Sequence, residues 1–302
     1  LLLYARDSKA SGGCVNQEWD TEVDEHGTIT INLYGGKAGV EWELLLTSDE
    51  HWDNKHCNRA LYSKHMGIAV ERNMPIIKNG DFFCAMQGKW DKRKSEDAMR
   101  DEYRGGKYLD KLVSEAAKGL EPYAKNIAVF GYGNHETSIL QHHETDLIER
   151  LIDRLRAMGS PVQKGNYVTW VRVRCWFNSK CYVTKNLFMH HGFGGGGPVT
   201  RGAIDTSRIS VYVPDADVVH MGHVHHDYEM PIERFRLTSN GKPYKDTQLH
   251  VRTPGYKDEI SCGKGWAVER GMAPRPQGCR VLKFQVTDST NKSVGITSCR
   301  MI

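Results

Sequence analysis

The sequence has no paired-cysteine motif and no long apolar run. None of its eight cysteines forms a C-x-x-C pair, so a zinc site built from thiolates is not expected. No stretch approaches the roughly 20 apolar residues that cross a bilayer, so we expect no membrane partner. The apolar residues 1–5 are fewer than the ~7–15 of a signal-peptide core, which favours a cytoplasmic protein with free thiols.

The net charge is also small, at +4 for 302 residues. Such a mild bias permits a polyanionic partner but does not predict one. With 39% hydrophobic and 26% charged residues, the composition is that of a globular protein with one large core or two small ones. A local cluster of cations around Trp90, which includes Lys89, is a solvated loop by default. Because it follows Asp81 closely, it is also a candidate contact for a polyanionic substrate.

Strand and helix patterns alternate in the first half of the chain, and strands dominate the second. Residues 28–33 alternate as a half-buried strand does, whereas residues 44–46 are wholly apolar, as in a strand covered on both faces. Helices are predicted near residues 57–72, 108–120 and 145–158, the last with apolar residues spaced at three and four. The sequence therefore predicts an α/β fold, a mixed β-sandwich flanked by helices.

We divide the chain into two parts on these patterns. Residues 1–39 are predicted to be an N-terminal extension that can add edge strands. Residues 40–302 are predicted to form the main domain, with a polar insert near 87–106 and a strand-rich C-terminal part.

Five short polar groups each follow an apolar strand. They are Asp49-Glu50-His51, Gly80-Asp81, Gly133-Asn134-His135-Glu136, His190-His191-Gly192 and Gly222-His223-Val224-His225. Because the carboxyl ends of parallel strands meet at one edge of a sheet, we expect these side chains to converge. Carboxylate, imidazole and amide donors suit Mn²⁺, Fe, Zn²⁺ or Ni²⁺ and argue against a soft thiolate site.

The tripeptide Asp-Glu-His occurs twice, and its context separates the two copies. Residues 24–26 precede a strand and are followed by Gly27, as in a surface turn. Residues 49–51 follow the apolar run 44–46 and are placed to project from a strand end. We therefore assign the metal-binding role to the second copy.

The order D-x-H, G-D, G-N-H-E, H-G and G-H-x-H resembles the five blocks of the calcineurin-like metallophosphoesterases, over roughly residues 40–260. The resemblance implies two divalent ions, Mn²⁺ first, with Zn, Fe, Ni and Mg as alternatives. Asp81 would bridge the two ions. One ion would be held by Asp49, His51 and His225, and the other by Asn134, His191 and His223. His135 matches the family's non-ligand histidine, which would stabilise the transition state or protonate the leaving oxygen.

The fourth block leaves two histidines to choose between, since His190 and His191 are adjacent. Neighbouring residues on a strand point to opposite faces, so both are not expected to reach one ion. We prefer His191 because the family pattern places the ligand directly before a glycine.

The resemblance implies a metal-dependent hydrolase of phosphoric esters. Phosphodiesters are the lead substrate, with DNA or RNA first, because the blocks look similar to the DNA-repair nuclease branch and to small phage and bacterial phosphoesterases. One alternative is a phosphomonoesterase or a cyclic-nucleotide phosphodiesterase, and another is a non-catalytic binding scaffold on the same fold. Substrate contacts are predicted at Arg201, which follows the glycine run 194–197, and at Trp52 and Lys89.

Overall fold

The computed structural model describes residues 17–85, 98–195, 197, 199–261, 263 and 266–301. One of its two sheets has six strands, four of them parallel neighbours. In spatial order these are β13 (Ser293–Met301), β12 (Cys279–Asp288), β3 (Glu41–Thr47), β4 (Ile76–Lys78), β5 (Ile127–Phe130) and β6 (Gln163–Lys164). Strands β3 to β6 run parallel, and β12 joins β3 in antiparallel register.

The other sheet has seven strands and takes in the N-terminal segment. In spatial order these are β1 (Trp19–Val23), β2 (Ile29–Leu33), β7 (Val168–Asn178), β8 (Cys181–His190), β9 (Val218–Met221), β11 (Pro243–Arg252) and β10 (Tyr228–Leu237). Strands β8, β9 and β11 run parallel, while β7–β8 and β10–β11 are antiparallel hairpins. Strand β1 forms one edge of this sheet, and its neighbour β2 joins it to the rest through a parallel pairing with β7.

The helices lie between the strands in the chain order. They are α1 (Arg59–Glu71), α2 (Tyr108–Leu120), α3 (Asn134–His143), α4 (Leu147–Ala157), α5 (Ala203–Tyr212) and α6 (Trp266–Glu269). The predicted amphipathic helix is α4, whose first turn is capped by the Asp146 side chain accepting from the Glu149 N–H at 2.9 Å. No described helix is long and apolar enough to span a bilayer.

The apolar run of β3 shows how the layers pack. Leu44 and Leu46 lie between the two sheets, in a cluster that includes Val171 and Val218. Leu45 points the other way, into the cluster formed with α1, α2 and α4. Since both faces of the strand are covered, all three leucines are fully buried. The predicted mixed α/β sandwich with flanking helices is therefore confirmed.

Several described elements were not predicted from the sequence, among them two strands and two helices. Strands β10 and β13 are edge strands, and every second residue of β10 is exposed. Helix α5 follows the glycine run, and α3 begins within the G-N-H-E block itself. Short polar helices of this kind carry a weak periodic signal, because few of their residues face the core.

Candidate metal centre

The five polar groups meet at the carboxyl ends of parallel strands from both sheets. Asp49 and His51 follow β3, Asp81 follows β4, and Asn134 with His135 opens α3 directly after β5. From the other sheet, the fourth group follows β8 and the fifth follows β9. The sandwich therefore closes one edge around a single cluster of carboxylate and imidazole side chains.

The backbone around this cluster is held in an uncommon conformation. Five non-glycine residues have φ between 49° and 71°, the left-handed region: Asp49, His51, Asp81, His223 and His225. Residues other than glycine cost about 1–3 kcal/mol there and persist only where the surrounding structure imposes them. All five are residues that the sequence predicts as metal ligands, so the sharp turns place donor atoms rather than stabilise the fold.

One group of donors forms around Asp49. The His225 Nε2 atom lies 3.3 Å from Asp49 Oδ1 and 3.2 Å from His51 Nε2. The donor atoms of these three residues lie within 4.8 Å of one another, the spacing expected for ligands of one ion. The other Asp49 oxygen, Oδ2, accepts the His223 backbone N–H at 2.9 Å, which fixes the carboxylate.

A second group forms around Asp81. It contains Asp81, His191 and His223, again with donor atoms within 4.8 Å of one another. His191 Nε2 lies 3.1 Å from Asp81 Oδ2 and 4.0 Å from Asp49 Oδ1, so it links the two groups. The structure thus brings the predicted bridging carboxylate and both predicted ligand sets into one region.

Backbone carbonyls fix the tautomers of two histidines. His191 Nδ1 lies 2.6 Å from the Asn79 carbonyl, and His223 Nε2 lies 3.1 Å from the Gly194 carbonyl. Since a carbonyl only accepts, each of these nitrogens carries a proton, and the opposite ring nitrogen is the one left to bind a metal ion. In metal sites, the second ring nitrogen of a histidine ligand usually donates to such a carbonyl, which orients the ring.

Buried polar atoms of the cluster have no hydrogen-bond partner among the described residues. They are Asn134 Oδ1 and His223 Nδ1, while Asp49 Oδ1 and His191 Nε2 contact only charged groups of the cluster itself, His225 at 3.3 Å and Asp81 at 3.1 Å. Burying a polar atom without a partner costs about 1–3 kcal/mol, so such atoms need an explanation. Divalent ions provide one, because oxygen and imidazole donors fit Mn²⁺, Fe or Zn²⁺.

The electrostatics are those of a site prepared for cations. Burial alone would raise the pKa of Asp49, but His225 and His191 outweigh it and hold the pKa below its usual range. The pKa of Asp81 is also lowered. Burial alone would raise it, but the neighbouring His191 favours the ionised carboxylate. Despite its burial, His191 has its pKa raised to about 10 by Asp81 and Asp49. Both carboxylates are therefore ionised, and a bound metal would displace the His191 proton.

Glu136 anchors the loop of Asp81, a role that sequence reasoning missed. Its Oε2 accepts the backbone N–H groups of Asp81 at 3.0 Å and Gly133 at 2.9 Å, and Oε1 accepts that of Phe83 at 2.8 Å. Burial and then the Asp81 charge raise the pKa of Glu136 to about 8. The sequence pattern that could have indicated this role is G-N-H-E. A glutamate at the third position of a helix commonly accepts the backbone N–H of the residue that precedes the helix.

His135 and Asn134 open α3 beside Asp81. The His135 backbone N–H donates to Asp81 Oδ1 at 2.9 Å, and its ring Nε2 lies 3.7 Å from Asp81 Oδ2. The ring Nδ1 contacts the Cys84 carbonyl, which orients the imidazole. A Cβ at Gly133 would overlap the Asp81 carboxylate, so only glycine allows this close approach of α3.

His190 and Cys84 lie beside the cluster in different ways. The His190 Nδ1 accepts the Gly192 N–H at 2.9 Å, and its ring packs against Tyr167 and Phe193. Of the two adjacent histidines, the structure therefore places His191 against Asp81. The Cys84 thiol lies near His51 and His135, a soft donor at this edge that the sequence did not indicate, and burial raises its pKa to about 12.

The predicted substrate contacts fall in three different places. Trp52 lies in the core, 5% exposed, with its ring stacked on Phe82, so the structure places it away from any substrate surface. Its position next to His51 suggested a contact, but the left-handed turn at His51 directs the indole inward. Arg201 is exposed and lines a cavity with His226, while Lys89 lies outside the described residues.

The chain thus forms a sandwich of two mixed sheets with one edge of polar loops at the strand ends. No protein family matches the chain in a scan of family profiles, and no curated protein matches it. Among solved structures, it is similar to Vps29 of Entamoeba histolytica complexed with Zn²⁺, at 10% identity and a TM-score of 0.35, over 85% of this chain and 98% of that one. It is also similar to a predicted phosphoesterase of Streptococcus pneumoniae, at 11% identity and a TM-score of 0.30, over 87% and 100%.

Proposed function

We propose that this chain hydrolyses phosphoric esters with two divalent metal ions, Mn²⁺ first, and that phosphodiesters of nucleic acid are its substrates. The observation that supports this most is the pair of donor groups around Asp49 and Asp81, which His191 links at 4.0 and 3.1 Å. Structural ion pairs also shift pKa values, but they do not explain why the buried donor atoms Asn134 Oδ1 and His223 Nδ1 have no hydrogen-bond partner among the described residues.

The residues divide into two ligand sets. Asp81 would contact both ions. The remaining ligands would be Asp49, His51 and His225 for one ion, and Asn134, His191 and His223 for the other. Bound ions would act as Lewis acids on the phosphoryl oxygens. The protein's own contribution is to hold these donors in place, through the left-handed turns and through the carbonyls of Asn79 and Gly194.

His135 would handle a proton in this reaction. Because its Nδ1 faces the Cys84 carbonyl, Nδ1 carries a proton in the neutral ring and Nε2 is the atom that exchanges one. This Nε2 atom faces the carboxylate side of the cluster and lies 3.7 Å from Asp81 Oδ2. From there the ring, when it carries a second proton on Nε2, would donate that proton to the leaving oxygen of the ester and return to the neutral Nδ1–H form.

Hydrolysis of bis-p-nitrophenyl phosphate with added Mn²⁺ tests the proposal. We expect activity in the wild type, near-complete loss in Asp81→Asn, and no loss in Asp153→Asn, which removes an exposed carboxylate of α4. The same proteins are then assayed on single-stranded and duplex DNA, where activity is expected to follow the same order. Hydrolysis of a nitrophenyl monoester alone would favour the phosphomonoesterase. If folded and metal-loaded protein hydrolyses none of these esters, a binding scaffold would be favoured.

A further inference from the structure

Two buried carboxylates hold the loop that follows β4. Glu136 accepts the backbone N–H of Asp81 at the start of this loop. Asp53, which lies in the turn after β3 and is 3% exposed, accepts the N–H groups at its end. Its Oδ1 accepts the Cys84 N–H at 2.6 Å, and its Oδ2 accepts the Ala85 N–H at 2.9 Å. The end of the loop therefore depends on a side chain from a different connection of the fold.

The peptide unit between Cys84 and Ala85 links Asp53 to His135. Its N–H, which belongs to Ala85, donates to Asp53 Oδ2, and its carbonyl, which belongs to Cys84, accepts from His135 Nδ1. Because a peptide unit is planar, the directions of its N–H and its C=O are fixed together. In such a chain each hydrogen bond also polarises the next one. Asp53 therefore sets the direction of the carbonyl that orients the His135 ring.

The backbone conformation of Ala85 shows that this peptide is held in place. Ala85 has φ 47°, in the left-handed region, which is unfavourable for a residue with a Cβ. Hydrogen bonds to a carboxylate are shorter and stronger than those between neutral groups, and Asp53 accepts two of them here. Without these bonds the peptide can rotate toward the ordinary region, and the Cys84 carbonyl would then turn away from His135.

The Asp53 carboxylate is fixed by a further donor. The hydroxyl of Tyr108, the first residue of α2, donates to Asp53 Oδ2 at 2.9 Å. All three of these groups donate, so the side chain between them has to accept on both of its oxygens. An ionised carboxylate does this, whereas an amide has only one acceptor oxygen. Asparagine at this position would leave one backbone N–H of the loop facing an NH2 group.

We propose that Asp53 is a positioning residue, which holds the His135 ring through the Cys84–Ala85 peptide with Nε2 on the side of the metal cluster. The inference rests on the proposed function and deepens it: the proton donor is oriented by a carboxylate that acts through the backbone. Loss of the Asp53 carboxylate should therefore resemble loss of the proton donor and not loss of a metal ion.

Asp53→Asn separates positioning from metal binding. We expect kcat on DNA to fall about 10–100-fold, the range typical of supporting residues, and to fall clearly less on bis-p-nitrophenyl phosphate, whose leaving group needs no proton. In the His135→Ala background the same substitution should cause little further loss, because two changes that act through one residue are not additive. Metal per chain should stay near the wild-type value, since Asp53 is not among the ligands that we assign.

Nuclear magnetic resonance of protein with isotope-labelled histidine measures the ring orientation without any turnover. The protein is loaded with diamagnetic Zn²⁺ and kept at mildly alkaline pH, and His135→Ala identifies the signal. We expect the wild type to show the Nδ1–H tautomer of His135, because Nδ1 faces a carbonyl. Asp53→Asn should show a mixture of the two tautomers.

Two further variants make the outcome decisive. Asp20→Asn is the matched control and should change neither measurement, because Asp20 also accepts a tyrosine hydroxyl, that of Tyr34 at 2.7 Å, but lies on β1. Asp53→Glu keeps the charge and displaces the oxygens, so it should show the same difference between substrates even if Asp53→Asn fails to fold.

Three results would overturn the positioning role. They are equal losses on both substrates, a full further loss in the His135→Ala background, and an unchanged tautomer in folded Asp53→Asn. A changed tautomer in Asp53→Asn, together with a wild type that hydrolyses no ester, would instead support the positioning role and contradict the proposed function.

Discussion

The buried carboxylate of Glu136 accepts the backbone N–H of Asp81 at 3.0 Å. Asp81 has φ 51°, and this hydrogen bond holds its left-handed turn in place. Glu136 also accepts from Gly133 and Phe83, and it therefore ties the end of β4 to the start of α3. The carboxylate that we predict to bridge the two ions thus depends on a residue from the first turn of α3.

Glu136→Gln should weaken metal binding without removing a ligand. The amide keeps one acceptor oxygen but turns a donor toward N–H groups, so the loop of Asp81 loses its anchor. Outer-shell changes of this kind typically cost 10–100-fold in metal affinity, and we expect at least about tenfold here. A Mn²⁺ titration followed by calorimetry measures it, with Glu115→Gln on the exposed face of α2 as control. Unchanged affinity in Glu136→Gln would contradict the anchoring role.

Lys78 and Glu50 form a second support, behind the loop of Asp49 and His51. Both side chains are fully buried, with Lys78 Nζ 2.6 Å from Glu50 Oε1. Lys78→Met should lower the free energy of unfolding by about 3–5 kcal/mol, because it leaves a buried carboxylate unpaired. Urea unfolding measures this loss. The double variant Lys78→Met, Glu50→Gln should recover part of it, and Lys118→Met, in an exposed pair, should change stability by less than about 1 kcal/mol.

The buried His250 should make the protein less stable in mild acid. Burial and then the charges of Arg234 and Arg252 lower its pKa to about 4, from an ordinary value of 6.5. Above pH 6.5 neither the folded nor the unfolded state binds a proton at this residue, so stability is unaffected. Between pH 6.5 and 4 the unfolded state gains the proton first, and stability falls as the pH falls, by on the order of 1–2 kcal/mol. Urea unfolding at pH 7 and pH 5 should show a smaller difference in His250→Gln than in the wild type.

His135→Ala should affect substrates according to their leaving group. A p-nitrophenolate leaves without a proton, whereas a nucleoside alkoxide needs one, so loss of the Nε2 proton matters more for DNA. We expect a fall in kcat of about 100-fold or more on DNA and a clearly smaller one on bis-p-nitrophenyl phosphate. His142→Ala, on the exposed end of α3, is the control. Equal losses on both substrates would argue against proton donation by His135.

The order of the elements could be predicted because apolar runs mark buried strands. Leu44 to Leu46 indicated β3, and the polar groups after such runs indicated the edge where the site lies. The left-handed turns at Asp49 and His223 could not be predicted, since these arise from packing between distant loops. Nothing in the sequence indicated that Trp52 turns inward or that Arg275 contacts His226, 49 residues away along the chain. Contacts of such long sequence separation are set by the tertiary fold.

Metal content is the most direct test of the central claim, that two donor groups at one edge of the sandwich each hold an ion. The wild type, His225→Ala and His223→Ala would be dialysed against Mn²⁺ and the metal per chain measured by elemental analysis. We expect about two ions in the wild type and about one in each variant, because each variant removes a ligand from one group only. A wild type that binds no ion, or variants that both retain two, would contradict it.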